Sequence, residues 1–268
     1  MNKQTKKKSR GIIIQARMGS LRLPGKTLKN LNEKPSLWHV YNRCKESKYV
    51  DMVIVATTKD KSDNQIEKFC KQYKIPYFRG SVNNVLSRYY ETAKKFKLNT
   101  IARITADCPL IDPSTIDRVF QAHTAQKCDY VSNIVPGKRT FPRGLDVEVF
   151  SFTALEKIFR EATEQMEKEH VTPRMWQNKK GEYKIGKIVT APKRLNRSYR
   201  LTVDYPEDFA LIDMIYEKFS DYKIVPTGKA INFLDQHPEI ASINTDCEQK
   251  HNLHAPVNII QKNKSNLI

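Results

Sequence analysis

Short apolar runs alternate with amphipathic stretches along the first half of the chain. Residues 11–16 (GIIIQA), 52–57 (MVIVAT) and 100–105 (TIARIT) are brief, apolar and rich in β-branched side chains, so each predicts a buried strand. Between and after them apolar positions recur at helical spacing. Residues 35–47 open on Pro35 and repeat Leu37, Tyr41 and Cys44; 62–73 start from Ser62 as an N-cap; 83–96 follow; 112–125 open on Asp112-Pro113. Farther along, 128–134 and 145–150 predict strands, 152–163 and 168–178 predict helices, and Pro173 perturbs the second of these. Residues 183–190 alternate as a strand, and 206–219 have the period of a long helix. The alternation predicts an α/β fold: a mostly parallel, Rossmann-like sheet flanked by helices on both faces, with a smaller inserted strand/helix segment. Periodicity is absent from the basic stretch 1–10 and fades after residue 243. The expectation is therefore a disordered N-terminal tail, a single domain over 11–243 and a polar tail over 244–268.

Charge narrows the function classes. Lys and Arg number 47 against 29 Asp and Glu, a net charge of +18. Such a balance suits an anionic partner, either nucleic acid, lipid headgroups or phosphorylated small molecules. The lysines are scattered rather than striped, so a basic surface without a dedicated partner explains the charge equally well. The chain has no helix-turn-helix, RNP aromatic motif or zinc finger, which argues against specific nucleic-acid recognition. No stretch reaches the ~18 apolar residues of a membrane span. The five cysteines are odd in number, widely spaced and without C-x-x-C. They read as reduced thiols of a cytoplasmic protein, with neither zinc site nor disulfide frame.

Candidate chemistry begins after the first strand, in ARMGSLRLPGKTL (16–28). Gly25-Lys26-Thr27 imitates the end of a P-loop. However, Gly19 and Gly25 are separated by five residues instead of four, and Asn30, Asn32 and Pro35 punctuate what should be a long helix. What remains is a loop at the carboxyl end of a strand, where α/β sheets bind ligands. It carries Arg17, Arg22 and Lys26, with Gly19 and Gly25 for tight turns and Ser20 as a hydroxyl donor. Three cations on one short loop suit a triphosphate; a solvated basic turn is the alternative.

The segment IIIQARMGSLRLPGKTL resembles the signature of SpsF-type spore-coat polysaccharide proteins, in the acylneuraminate and KDO cytidylyltransferase superfamily. The resemblance continues in order through RITADCPLIDP, FPRGLDVEVFS, EHVTP and RLTVDYPEDF, and spans about residues 11 to 235. It implies a nucleotide-diphospho-sugar transferase type of fold and a Mg²⁺-dependent nucleotidyltransferase. Such an enzyme joins CTP and a sugar acid into a CMP-sugar, releasing pyrophosphate, and is often a homodimer.

The resemblance also implies roles for individual residues. Lys26, Arg22 and Asp107 would be catalytic. Gln15 and Ala16 would approach the nucleotide base, and Arg17, Gly19, Ser20, Arg22 and Lys26 its phosphates. Thr105 and Ala106 would also lie by the nucleotide, where the KDO enzymes instead carry Gln-Gly before their metal aspartate. Asp107, by itself either a turn carboxylate before Pro109 or a ligand, becomes the metal aspartate, joined by Asp204 at the end of a short strand. Arg143 would pair with the acceptor's carboxylate. Asp146 and Glu148 alternate with valines, so they share one strand face, either lining the acceptor pocket or simply exposed. His170 is a further acceptor candidate, Arg103 and Arg200 rank below Arg22 and Lys26 for phosphate, and His251-x-x-His254 reads as incidental. Residues 135–190 would form a substrate and dimerisation segment. A glycosyltransferase is the rival reading, weakened because Asp107 is followed by Cys108 and Pro109 and not by the second acid of an Asp-x-Asp pair.

Overall fold

A computed structural model describes residues 9–134 and 139–247. Residues 1–8, 135–138 and the tail from 248, with His251 and His254, lie outside the described residues.

The strand residues Ile12, Ile13 and Ile14 of β1 (Arg10–Gln15) have no exposed surface. A strand buried on both faces must sit inside a sheet covered on both sides. Here β1 pairs in parallel with β4 (Met52–Thr58) and with β6 (Thr100–Thr105), and β4 pairs in parallel with β5 (Tyr77–Gly80). The strand β8 (Glu148–Ser151) pairs antiparallel with both β6 and β7 (Tyr130–Ser132), which completes the order β5-β4-β1-β6-β8-β7 with β8 alone reversed. A small hairpin of β2 (Asn30–Leu31) and β3 (Lys34–Pro35) lies outside this sheet.

Alternate strand residues meet different helices. Ile12 and Ile14 pack with α1 (Ser36–Lys45), α2 (Asn64–Gln72) and α4 (Pro113–Gln126). Ile13, Ile54 and Ile101 pack with α3 (Val85–Lys95), α5 (Phe152–Glu161) and α7 (Pro173–Gln177), which follows the short α6 (Gln165–His170). A third cluster gathers α8 (Pro206–Lys218) and α9 (Thr227–Gln236) around Leu201 and Val203, and α10 (Pro238–Ala241) ends the described helices. The buried Arg43 guanidinium stitches α1 to this region by donating to the carbonyls of Ile111 and Val225 at 2.6 Å each and to the Thr227 hydroxyl at 2.5 Å.

Three expectations change. Residues 168–178 form two short helices, because Pro173 starts α7 where a continuous helix would need its missing N–H. Residues 183–190 run beside β7 but form no strand. Gly186 N–H donates to the Tyr130 carbonyl and Val189 N–H to that of Ser132, so three residues of advance face two on β7 and the ladder slips. The predicted start of the tail coincides with a packed residue: Asn244 is buried, and its side-chain amide donates to Asp208 Oδ1 at 2.8 Å.

Candidate active site

The loop after β1 is held from beneath. Met18 N–H donates to Asp63 Oδ1 at 2.7 Å, and the Thr27 hydroxyl donates to the Arg17 carbonyl at 2.7 Å. Gly25 has φ 72°, a left-handed turn that glycine adopts readily, and it opens only a single 3₁₀ turn, Lys26–Leu28. A P-loop would start a long helix there. The turn instead directs Lys26 across the carboxyl ends of β1 and β6.

Lys26 meets both aspartates singled out from the sequence. Its Nζ donates to Asp107 Oδ2 at 3.0 Å, to Asp204 Oδ1 at 2.8 Å and to the Val203 carbonyl at 2.7 Å. Asp107 follows β6. Asp204 follows the segment 201–203, which is tied to Asp107 because Val203 N–H and the Thr202 hydroxyl both donate to the Asp107 carbonyl. Residues 97 positions apart in sequence are thus fixed by backbone contacts one residue away.

The charges are organised around these carboxylates. Burial pushes the Asp107 carboxyl up, but the Lys26 ammonium and the Thr105 hydroxyl, donating at 2.5 Å, overcome it and hold the carboxyl down at about 2. Lys26 shows the reverse: burial disfavours its charge, and the two aspartates raise its pKa regardless. Asp204 also meets Arg22 Nη2 at 3.2 Å through Oδ1 and Arg200 Nη2 at 3.2 Å through Oδ2. Arg22 is braced against Tyr205, its guanidinium 4.7 Å from the ring centroid.

Arg200 and Asp208 have larger roles than their sequence contexts suggest. Asp208, fully buried in the first turn of α8, pairs with Arg200 at 2.8 Å and accepts from the Asp204 and Tyr205 N–H groups. The Arg200-x₃-Asp204-x₃-Asp208 spacing was the available signal. It could not show that Asp208 positions Asp204 as well as favouring the helix N-terminus.

These groups line a cleft of about 500 Å³. It brings together Gln15, Arg17, Gly19, Ser20, Arg22, Lys26, Thr105, Ala106, Asp107, Asp146, His170 and Asp204 with the lower-ranked Arg103, and adds Leu21 and Thr27. Burial, opposed by Glu169 and helped by Arg103, lowers the His170 pKa and favours the neutral imidazole. Burial raises the Asp146 carboxyl, against the pull of its ion-pair partner Arg139.

Three predicted residues are placed elsewhere. Ala16 is buried in the core beneath the loop. Arg143 lines a neighbouring cleft with Tyr199 and Arg200, because the chain turns at Gly144 and bridges residue 143 to 200. Glu148 is 5% exposed and does not line this cleft. It instead accepts from Arg103 at 2.7 Å, from the Tyr130 hydroxyl at 2.8 Å and from the Thr172 hydroxyl at 2.5 Å. Glu148 therefore anchors Arg103, which does face the cleft.

Asp107 and Asp204 are the residues suited to a divalent metal. Their oxygens already converge on one cation, and carboxylate oxygen is the donor that Mg²⁺ prefers. Among the described residues no group of three or more His, Cys, Asp or Glu could hold a metal. A metal here would complete its shell from substrate and water, as Mg²⁺ commonly does.

Comparison with known proteins decides the family. A family model described as cytidylyltransferase matches residues 11–231. The chain belongs to the cytidylyltransferase family. An uncharacterised protein of Methanocaldococcus jannaschii is 38% identical over 239 residues, covering 89% of this chain and 95% of its own. The spore coat polysaccharide biosynthesis protein SpsF of Bacillus subtilis is 34% identical over 236 residues, covering 86% of this chain and 95% of its own. A solved cytidylyltransferase from Leptospira borgpetersenii superposes with a TM-score of 0.79 at 32% identity, covering 87% of this chain and 97% of that one. The loop 16–28 that distinguishes this cytidylyltransferase chain from P-loop proteins and both aspartates lie inside the matched region.

Proposed function

We propose that this chain is a Mg²⁺-dependent cytidylyltransferase that joins CTP and a sugar acid into a CMP-sugar and pyrophosphate, for a surface polysaccharide or glycan. The observation that carries the reading is the convergence of Asp107, Asp204 and Lys26 within 3.0 Å of one point, beside a loop bearing two further cations. Family membership supports the nucleotidyl transfer, and the relationship to SpsF supports the polysaccharide pathway. The sugar acid rests on the sequence resemblance to the KDO enzymes.

Such a transfer asks the protein for alignment and charge neutralisation rather than covalent chemistry. Arg17, Arg22 and Lys26 hold the β- and γ-phosphates and stabilise departing pyrophosphate. Asp107 and Asp204 would hold Mg²⁺, which when bound would neutralise charge that develops on the phosphates. The acceptor hydroxyl approaches the α-phosphorus from the side of Asp146, His170 and Arg103. Arg103, which lines the cleft where Arg143 does not, would take the role expected of Arg143 toward the acceptor's carboxylate. Among the described residues no helix is long and apolar enough to cross a membrane. The proposal includes a cytoplasmic homodimer joined through the segment 135–190, where Ile185 and Ile188 are 39% and 41% exposed.

A screen of nucleoside triphosphates against sugar acids tests the reading. Mg²⁺-dependent pyrophosphate release with CTP and a sugar acid is the expected result. Consumption of a nucleotide-sugar without pyrophosphate would assign the cleft to a glycosyltransferase.

A further inference from the structure

An ammonium has three N–H donors. Lys26 uses all three inside the protein, on Asp107, Asp204 and the Val203 carbonyl. Two of those acceptors are the carboxylates suited to the metal. Asp204 has no uncommitted oxygen: Oδ1 faces Lys26 and Arg22, and Oδ2 faces Arg200. A divalent ion arriving by itself therefore meets carboxylates that already carry a cation.

We infer that Lys26 is a resident counter-ion that keeps divalent metal off Asp107 and Asp204 until a nucleoside triphosphate draws its ammonium away. The inference rests on the nucleotidyl-transfer reading of the same cleft. Two arrangements of one side chain are involved. In the first, the ammonium lies between the aspartates, as observed. In the second, it lies on phosphate oxygens, and the metal takes its place between the carboxylates. The four-carbon stem and compact charge of lysine suit such a move, whereas Arg200 is clamped to Asp208 through Nε at 2.8 Å and Nη2 at 3.1 Å.

Charge balance favours making the exchange in one event. If metal displaced Lys26 with no phosphate present, the ammonium, 13% exposed, would lose both ion-pair partners, which is costly in a partly buried site. With a triphosphate present the ammonium gains new anionic partners as the metal gains the carboxylates. Metal and nucleotide then bind with positive coupling. For metal alone, affinity is reduced in proportion to the fraction of molecules in which Lys26 has left the carboxylates.

Binding of Mn²⁺, followed by the electron paramagnetic resonance signal of the free ion, tests this without turnover. In the absence of nucleotide, Lys26→Met should bind one Mn²⁺ at least ~10-fold more tightly than wild type, as expected if Lys26 leaves the carboxylates in about a tenth of molecules or fewer. Lys29→Met is the control, since Lys29 Nζ lies 3.9 Å above the Phe209 ring and lines no wall of the cleft. It should match wild type. Equal Mn²⁺ affinity in Lys26→Met and wild type would overturn the inference. If the variant fails to fold, the Lys26 ammonium signal in nitrogen-15 NMR of the wild type decides. It should stay in place on adding Mg²⁺ alone and shift on adding CTP; a shift with Mg²⁺ alone would overturn the inference. Calorimetry with CTP judges the underlying reading separately. Failure of CTP to bind would count against the cytidylyltransferase activity, while the Mn²⁺ comparison would still decide the role of Lys26.

Discussion

Asp107 and Lys26 each keep a charge that burial opposes, and each does so through the other. Neutralising either leaves its partner exposed to that opposition and, on the proposed reading, removes either a carboxylate meant for the metal or a cation meant for the phosphates. Asp107→Asn and Lys26→Ala should each lower pyrophosphate release by about 10²–10³, with circular dichroism unchanged. His39 shows the same competition settled the other way. Burial takes its pKa down from 6.5 to about 4, despite the hydrogen bond of its Nε2 with the Leu31 carbonyl at 2.8 Å. The unfolded chain then binds the extra proton more readily. Stability is complete above pH 6.5 and is lost as pH falls from there towards 4, by about 3 kcal/mol. Urea denaturation of wild type should show this loss, and His39→Gln should remove most of it. The sequence singled out Lys26, Asp107 and Asp204 through the resemblance of the runs that hold them, and the structure brings the three side chains together. The sequence did not disclose the positions of Arg143 and Glu148. The even spacing of Asp146 and Glu148 suggests one shared face, but β8 starts only at Glu148, and the irregular backbone before it sends Asp146 to the cleft and Glu148 inward.

At the scale of elements, the cleft depends on joints that pattern alone does not show. Glu148 binds β6, β7 and the start of α7 together through Arg103, Tyr130 and Thr172. Glu148→Gln removes the charge that balances Arg103 and should cost about 3–5 kcal/mol in chemical denaturation. The turn at Gly144 has φ +95°, and a Cβ there would stand 2.5 Å from the Leu201 carbonyl. Gly144→Ala should therefore cost about 1–3 kcal/mol in stability. It should also slow pyrophosphate release, because the displaced segment leads directly into Asp204. Strands β1, β4 and β6 were legible because a fully buried parallel strand is a continuous apolar run. The strand β5 (YFRG) lies at the sheet edge with mixed polarity, and α9 (TGKAINFLDQ) starts without a side-chain cap, so neither announces itself.

At the scale of the molecule, parallel β1, β4 and β6 put their carboxyl ends on one edge, where the cationic loop and the aspartates meet. The net charge of +18 is spread over the chain, yet the cleft itself nearly balances. Arg17, Arg22, Lys26 and Arg103 face Asp107, Asp146 and Asp204, a set suited to a triphosphate that arrives with its metal. The α/β class and the order of motifs were readable from alternation. The antiparallel β8–β7 edge and the course of residues 183–190 depend on long-range pairing that no local period records.

The account stands most directly on where the phosphates of CTP go. With Mg²⁺ and a panel of sugar acids, CTP labelled at the α- and γ-phosphates should send its α label into a CMP-sugar. The γ label should appear in pyrophosphate in equal amount, with both products strongly reduced in Asp107→Asn. CTP left intact by the wild-type protein across the panel, or turned over equally well by Asp107→Asn, would contradict it.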